Sequence, residues 1–341
     1  MKAEIGRTGW LAALLAAVLG TAGLIEGVAM AAEPLAKTLF GAQTLPAQAA
    51  PQSIGFYSKG CFAGGVAIAA DGPHWQVMRL SRNRRWGHPR TIELLQELSQ
   101  KAAQGGWTGL LVGDISQPRG GPMVTGHASH QIGLDADIWL TPMPAGRFTE
   151  AERETVSAVS MLKKGSLNVD DRKWTPAHAA VLRAAASFAD VDRIFVHPGI
   201  KKKLCETVGG DRSWLGKLRP YWGHDAHFHV RLHCQPGSPD CKPQAPVGRG
   251  DGCDSSLAWW FTDEPWRPAT GPRKPPARDV MTMASLPRAC RAVLAAPAPD
   301  TALAATMALP AQTAAGTPPP ANAFAPLPRA AIPLPTPRPA R

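Results

Sequence analysis

The stretch Gly126-His127-Ala128-Ser129-His130-Gln131-Ile132-Gly133-Leu134-Asp135-Ala136-Asp137 sets two histidines and two aspartates between glycines, ahead of the apolar Ile138-Trp139-Leu140. Read with period two, Leu134, Ala136, Ile138 and Leu140 alternate with Asp135, Asp137 and Trp139, as in a half-buried strand. A loop ending in such a strand can bring His130 and Asp137 to one point, with Asp137 on rigid backbone. Imidazole nitrogen and carboxylate oxygen form a partial ligand set for Zn²⁺, which in catalytic sites takes about three protein ligands and keeps one position open. The missing ligand should be another histidine, and His224-Asp225-Ala226-His227-Phe228-His229-Val230 offers one. There His227 and His229 share one face of an extended segment, with Phe228 and Val230 on the other.

The chain has no His-Glu-x-x-His pattern, so no glutamate stands ready to take a proton from water. A histidine is then the natural general base. Ser129 lies between two histidines but lacks the strand-turn-helix context of an activated serine, so a serine mechanism is disfavoured. Asp135 reads as structural, or as a partner that orients a ligand histidine. His74, His88, His178, His197 and His233 stand apart from both clusters and read as structural.

Elements that could carry these clusters are visible around them. Arg90 to Ala103 reads as a helix with Ile92, Leu95 and Leu98 on one face. Thr108 to Ile115 reads as a buried strand leading toward the first cluster. Thr149 to Met161 and Thr175 to Ala189 read as helices, the second with Thr175 as N-cap and Pro176 at its first position. Val191 to His197 reads as a short strand, and Trp214 to Leu218 as a helical turn. Short strands and separate helices predict an α+β fold, an antiparallel sheet with flanking helices.

The ends of the chain differ from its middle. Residues 1–31 read as an export signal: Lys2 and Arg7, an apolar run from Trp10 to Ile25, then Ala29-Met30-Ala31 as a small-x-small cleavage site. A membrane anchor is the competing reading, but the run is short and Glu26 interrupts it. No other stretch is long and apolar enough to span a bilayer, so the mature chain is expected to be soluble and periplasmic. Residues 32–52 form a lead-in without strong periodicity, and 53–295 have globular composition, enough for one sizeable core. Residues 296–341 are dominated by Ala and Pro and read as disordered or partly polyproline II. Six cysteines, an even number in an exported chain, argue for three disulfides. Spacing leaves their pairing open, although Cys234 and Cys241 could close a small loop after the His-x-His strand.

The formal net charge is +11. Such a chain could be drawn to nucleic acid, an anionic membrane or an acidic wall polymer. Nucleic acid is disfavoured, because no binding motif accompanies Arg79-Leu80-Ser81-Arg82-Asn83-Arg84-Arg85 or Lys201-Lys202-Lys203. Those runs read either as a solvated basic face or as substrate steering.

Taken together, His130 to Asp137 and the later His227-Phe228-His229 resemble the pattern of the LAS zinc peptidases. The closer resemblance is to the penicillin-insensitive murein endopeptidases, from Gln52-Ser53-Ile54-Gly55 through Cys290. Its most specific pieces are Gly126 to Ile138 and Arg219-Pro220-Tyr221-Trp222-Gly223-His224-Asp225-Ala226-His227-Phe228-His229-Val230-Arg231-Leu232. Gln76-Val77-Met78-Arg79, Gly87-His88-Pro89, Arg193-Ile194-Phe195-Val196 and Gly250-Asp251-Gly252-Cys253 support it. The resemblance implies one zinc ion on His130, Asp137 and His229, and His227 as general base or acid. It implies that His224 and His127 position substrate or stabilise the oxyanion, with His224 a second candidate proton carrier. It implies bridges Cys61–Cys290, Cys205–Cys253 and Cys234–Cys241. The activity implied is hydrolysis of D-alanyl–meso-diaminopimelyl cross-links in peptidoglycan, insensitive to β-lactams. A second zinc site described for the family, on an Asp and a His, has no counterpart near Gly165 to Asn168. A D,D-carboxypeptidase or dipeptidase of the same chemistry is the alternative within this class. A non-catalytic wall-binding module is the alternative outside it, and completeness of the ligand set argues against that.

Overall fold

A seven-stranded sheet organises the chain, in the order Leu218–Pro220, Val191–Val196, His227–Leu232, Asp135–Trp139, Leu110–Val112, Trp75–Val77, Asp71–Gly72. The pairs around the two central strands are antiparallel, while Leu218–Pro220 and Trp75–Val77 each join a neighbour in parallel. The expected α+β class with flanking helices holds, on a sheet that is mixed at its margins. The structure is a computed structural model and describes residues 33–309, apart from 269 and 273. The expected export signal and the tail beyond 309 lie outside the described residues. Among those described, no helix is long and apolar enough to cross a membrane.

The two faces of the sheet have different jobs. On one, Ala136, Ile138, Phe228 and Val230 join the main core together with the helices Pro89–Gln104 and Pro176–Ala186. The first helix buries Ile92, Leu95 and Leu98 as their spacing predicts, and each such side chain contributes about 2 kcal/mol. It starts where the His88 side chain accepts from the Arg90 N–H and Pro89 occupies the first position. On the other face, cross-strand partners stand in register: His227 opposite Trp139, His229 opposite Asp137, Arg231 opposite Asp135. The Asp135–Trp139 strand was expected to be half-buried. It is buried on both faces, because the segment before it folds back over the polar side: the His130 N–H donates to Asp135 Oδ2 and His130 Nδ1 reaches the Ile115 carbonyl.

Gly133 makes that return possible. Its φ is +73°, and a Cβ there would lie 2.9 Å from the His88 nitrogen and 3.1 Å from the Phe62 ring. The three disulfides pair as the resemblance implies: Cys61–Cys290, Cys205–Cys253 and Cys234–Cys241. The last closes the turn that follows the His227–Leu232 strand.

Three local expectations are corrected. The helix expected over Thr149 to Met161 spans only Glu150–Thr155, opened by a Thr149/Glu152 capping box. It stops because Val156 turns extended and packs with Trp139 and Leu111, and beyond it the Met161 N–H donates to the Asp225 carbonyl, just ahead of the central His227–Leu232 strand. The lead-in contains a short helix, Ala36–Gly41, whose Ala36 and Phe40 pack against Cys61, Met283 and Cys290. The start of the Ala/Pro-rich tail is laid on the domain instead of being disordered. Ala302 and Ala305 pack on Phe62, Ala67 and Trp86, and the Met307 N–H donates to the Ala67 carbonyl. Small side chains let this backbone lie flat on a larger apolar surface, which composition alone does not reveal.

Candidate active site

Because His229 and Asp137 are direct cross-strand partners, their side chains meet on the polar face, Nδ1 3.3 Å from Oδ1. His130 arrives from the glycine-framed loop with a left-handed backbone, φ 66°. A non-glycine residue keeps that conformation only where its surroundings enforce it. Here the Asp135 carboxylate takes its N–H at 3.0 Å and the Ser116 hydroxyl donates to its carbonyl. Its Nε2 then lies 3.5 Å from Asp137 Oδ1.

These atoms fit a metal ion. His130 Nε2 and Asp137 Oδ1 are buried and have no hydrogen-bond partner among the described residues, a state that costs about 1–3 kcal/mol per group unless something shares the lone pairs. The outward nitrogens of both histidines are engaged. His130 Nδ1 lies 2.7 Å from the Ile115 carbonyl and His229 Nε2 2.9 Å from Asp135 Oδ1. Donating N–H outward assigns each ring a tautomer whose inward nitrogen is a lone pair, the arrangement of a ligating histidine.

The remaining predicted residues gather around the second oxygen of Asp137. His127 Nδ1 is 3.6 Å and His227 Nε2 3.7 Å from Oδ2. Donor atoms of His127, His130 and Asp137 all lie within 4.8 Å of one another. This close group contains His127 where the sequence reading placed His229; the two sets share His130 and Asp137, and His229 stands against Asp137 Oδ1. His224 sits behind His227, ring centroids 4.9 Å apart, with Nδ1 2.6 Å from the Trp222 carbonyl. All six predicted site residues therefore come together.

Electrostatics follow from this crowding. Burial opposes ionisation of Asp137, yet His227, His130 and His127 hold its carboxyl well below the usual carboxylate range. Burial lowers His227, with Asp137 opposing, and pushes His224 down to about 3, helped by His229 and His227. Burial would lower His229 too, but Asp135 and Asp137 raise it.

Asp135 is more central than its sequence position suggests. It accepts from the His130 N–H, from His229 Nε2 and from Arg231 Nε at 2.7 Å. Period two after His229 points to Arg231, which alternation could have flagged. Asp114, which receives His127 Nε2 at 3.0 Å, carried no such signal beyond its place after a strand. Two hollows flank the cluster. One, about 370 Å³, is lined by Phe56, Phe195, Tyr221, His224 and Gln244. The other is lined by Arg79, Arg82, Trp139, Ala158 and His227.

With this geometry in view, comparison with known proteins gives one consistent result. Residues 53–295 match the family described as penicillin-insensitive murein endopeptidase. A protein of that name from Haemophilus influenzae is 46% identical over 224 residues, 65% of this chain and 77% of the relative. One from Klebsiella pneumoniae is 40% identical over 260 residues, 76% of this chain and 92% of its own. One from Escherichia coli is 39% identical over 271 residues, covering 80% of this chain and 94% of the relative.

Proposed function

This chain belongs to the penicillin-insensitive murein endopeptidase family, a peptidase acting on peptidoglycan, and from that premise we propose that it is a zinc-dependent, periplasmic endopeptidase cutting D-alanyl–meso-diaminopimelyl cross-links. The observation that carries the metal reading is the pair of buried, unpartnered atoms, His130 Nε2 and Asp137 Oδ1, with His229 Nδ1 against the same oxygen. His130, Asp137 and His229 would hold one ion. Bound there, zinc supplies Lewis-acid polarisation of the scissile carbonyl and lowers the pKa of water.

The chain's own groups do the rest. Asp135 fixes His229, the Ile115 carbonyl fixes His130, and Asp114 fixes His127, so the inward nitrogens are set before substrate arrives. His227 Nε2, neutral because burial lowers its pKa, takes a proton from the attacking water and returns it to the leaving nitrogen. His224 stands one ring behind it, and His127 lies across Asp137 where oxyanion charge would develop. The hollow lined by Phe195 and Tyr221 gives the stem peptide an apolar wall.

The test uses purified protein and cross-linked muropeptide dimers, with monomer release followed by mass spectrometry. Release is expected to stop with a chelator, return with zinc and ignore penicillin. Release that persists in chelator would remove the metal from the reading. Loss of only a terminal D-alanine would favour a carboxypeptidase.

A further inference from the structure

The hollow on the His227 side gathers Arg79, Arg82, Asp114 and Asp137, and three cationic or imidazole groups converge on one oxygen of Asp114. Asp114 Oδ2 receives Arg84 Nη1 at 2.9 Å, His127 Nε2 at 3.0 Å and Arg82 Nη1 at 3.1 Å. Arg84 is buried and donates also to the Thr125 carbonyl and hydroxyl, so it and Asp114 already neutralise each other. Arg82 is the more open of the two arginines: its side chain is 38% exposed, and among the described residues its Nη1 is engaged on an oxygen two other groups already share. Arg82 shares that carboxylate with Arg84 and His127, and its guanidinium stands half-exposed in the hollow that His227 also lines.

The backbone holds Arg82 there by force. Arg82 ends a short 3-10 turn, Leu80–Arg82, flanked by two left-handed non-glycine residues, Arg79 at φ 59° and Asn83 at φ 51°. Such conformations persist only when neighbouring contacts over-determine them, and they concentrate at functional sites. Here the Ser81 N–H and hydroxyl both donate to Glu154, the Asn83 amide donates to the Thr44 carbonyl, and Trp86 Nε1 donates to Asn83 Oδ1.

We propose that this hollow is a carboxylate subsite, in which Arg82 binds the free carboxylate on the carbon attached to the scissile nitrogen. The inference rests on the cross-link reading above, where the leaving amine belongs to a diaminopimelate centre bearing its own carboxylate. A planar guanidinium matches a carboxylate in two parallel hydrogen bonds, which fixes orientation as well as charge. With the carboxylate on Arg82, the adjacent nitrogen lies on the His227 side of the site, where the returning proton is delivered. Arg82 is thus a specificity residue, and the arginine-rich run around it is more than a solvated face.

The experiment compares two cross-linked dimers, identical except that the carboxylate beside the scissile amide is free in one and a primary amide in the other. The wild-type enzyme is expected to prefer the free acid by about tenfold to a hundredfold in kcat/KM, the range for a lost charge-assisted pair, mostly through KM. Arg82→Gln should erase that preference, and Arg82→Lys, which keeps charge but not the planar fork, should retain part of it. Melting temperature and bound zinc check that both variants are folded. Equal cleavage of the two dimers by the wild type would overturn the subsite and leave the endopeptidase reading intact. So would an Arg82→Gln enzyme that is slower on both dimers yet keeps the preference. Cleavage of neither dimer by the wild type would overturn both.

Discussion

His229 and His178 are both closed off from solvent, one on the polar face of the sheet and one in the helix Pro176–Ala186 that joins the core on the other. Their surroundings treat the same side chain in opposite ways. His229 faces two carboxylates, Asp135 and Asp137, which raise its pKa against burial. His178 faces the Leu140 carbonyl and the Thr175 N–H and hydroxyl, all uncharged, stacked on Trp174, and burial pushes it down to about 4. A carbonyl satisfies a neutral ring, whereas a carboxylate orients it and enriches its free nitrogen for a cation. Burial alone therefore does not mark a functional histidine; what its free nitrogen faces does, since His130 also has a carbonyl on its far side yet turns Nε2 toward Asp137.

The sharpest way to test that contrast is to delete a histidine that has a carboxylate neighbour but is not one of the expected ligands. His227→Ala should keep its zinc and lose turnover by about a hundredfold to ten-thousandfold, the range for a missing general base. Metal analysis alongside muropeptide cleavage checks it; loss of zinc would move His227 into the ligand set. A smaller effect is expected from neutralising the carboxylate behind His229. Asp135→Asn keeps the shape and should weaken zinc binding about tenfold to a hundredfold, read by competition with a chelator. Unchanged affinity would mean that a carboxylate is not what separates the two histidines.

The smallest effect belongs to His178. Its folded pKa lies below the ordinary value of 6.5, so the unfolded chain takes up the proton first as pH falls. The stability it contributes is complete above pH ~6.5 and is lost progressively down to pH ~4, by about 1 kcal/mol per pH unit. Denaturant titrations between pH 6.5 and 4.5 should show a shallower decline for His178→Gln than for the wild type. Parallel declines would show that another group carries the slope.

The part of the site built on strands was legible because strand geometry is periodic. Alternation puts Asp135 and Asp137 on one face and His227 and His229 on one face, and antiparallel pairing then needs only the right register to join them. His130 could be named but not its left-handed backbone, which depends on how Asp135 folds back onto it and on Ser116 from outside its own segment. Asp114 was missed for a similar reason: a lone carboxylate after a strand gives no sign of the arginines and histidine that converge on it. The premature end of the Glu150–Thr155 helix was also invisible, since Val156 leaves the helix to pack with Trp139 and Leu111. The disulfide pairing came through resemblance and not through spacing, as expected when Cys61 and Cys290 are 229 positions apart.

That long bridge makes most of the domain a closed covalent loop, with the Cys205–Cys253 and Cys234–Cys241 loops nested inside it. A backbone cut anywhere between residues 61 and 290 opens the loop but frees no fragment, because the two new ends remain tied through sulfur. The strands bearing Asp137 and His229 would stay tethered within reach of each other after such a nick. Damage to the chain and loss of the site thereby become separate events.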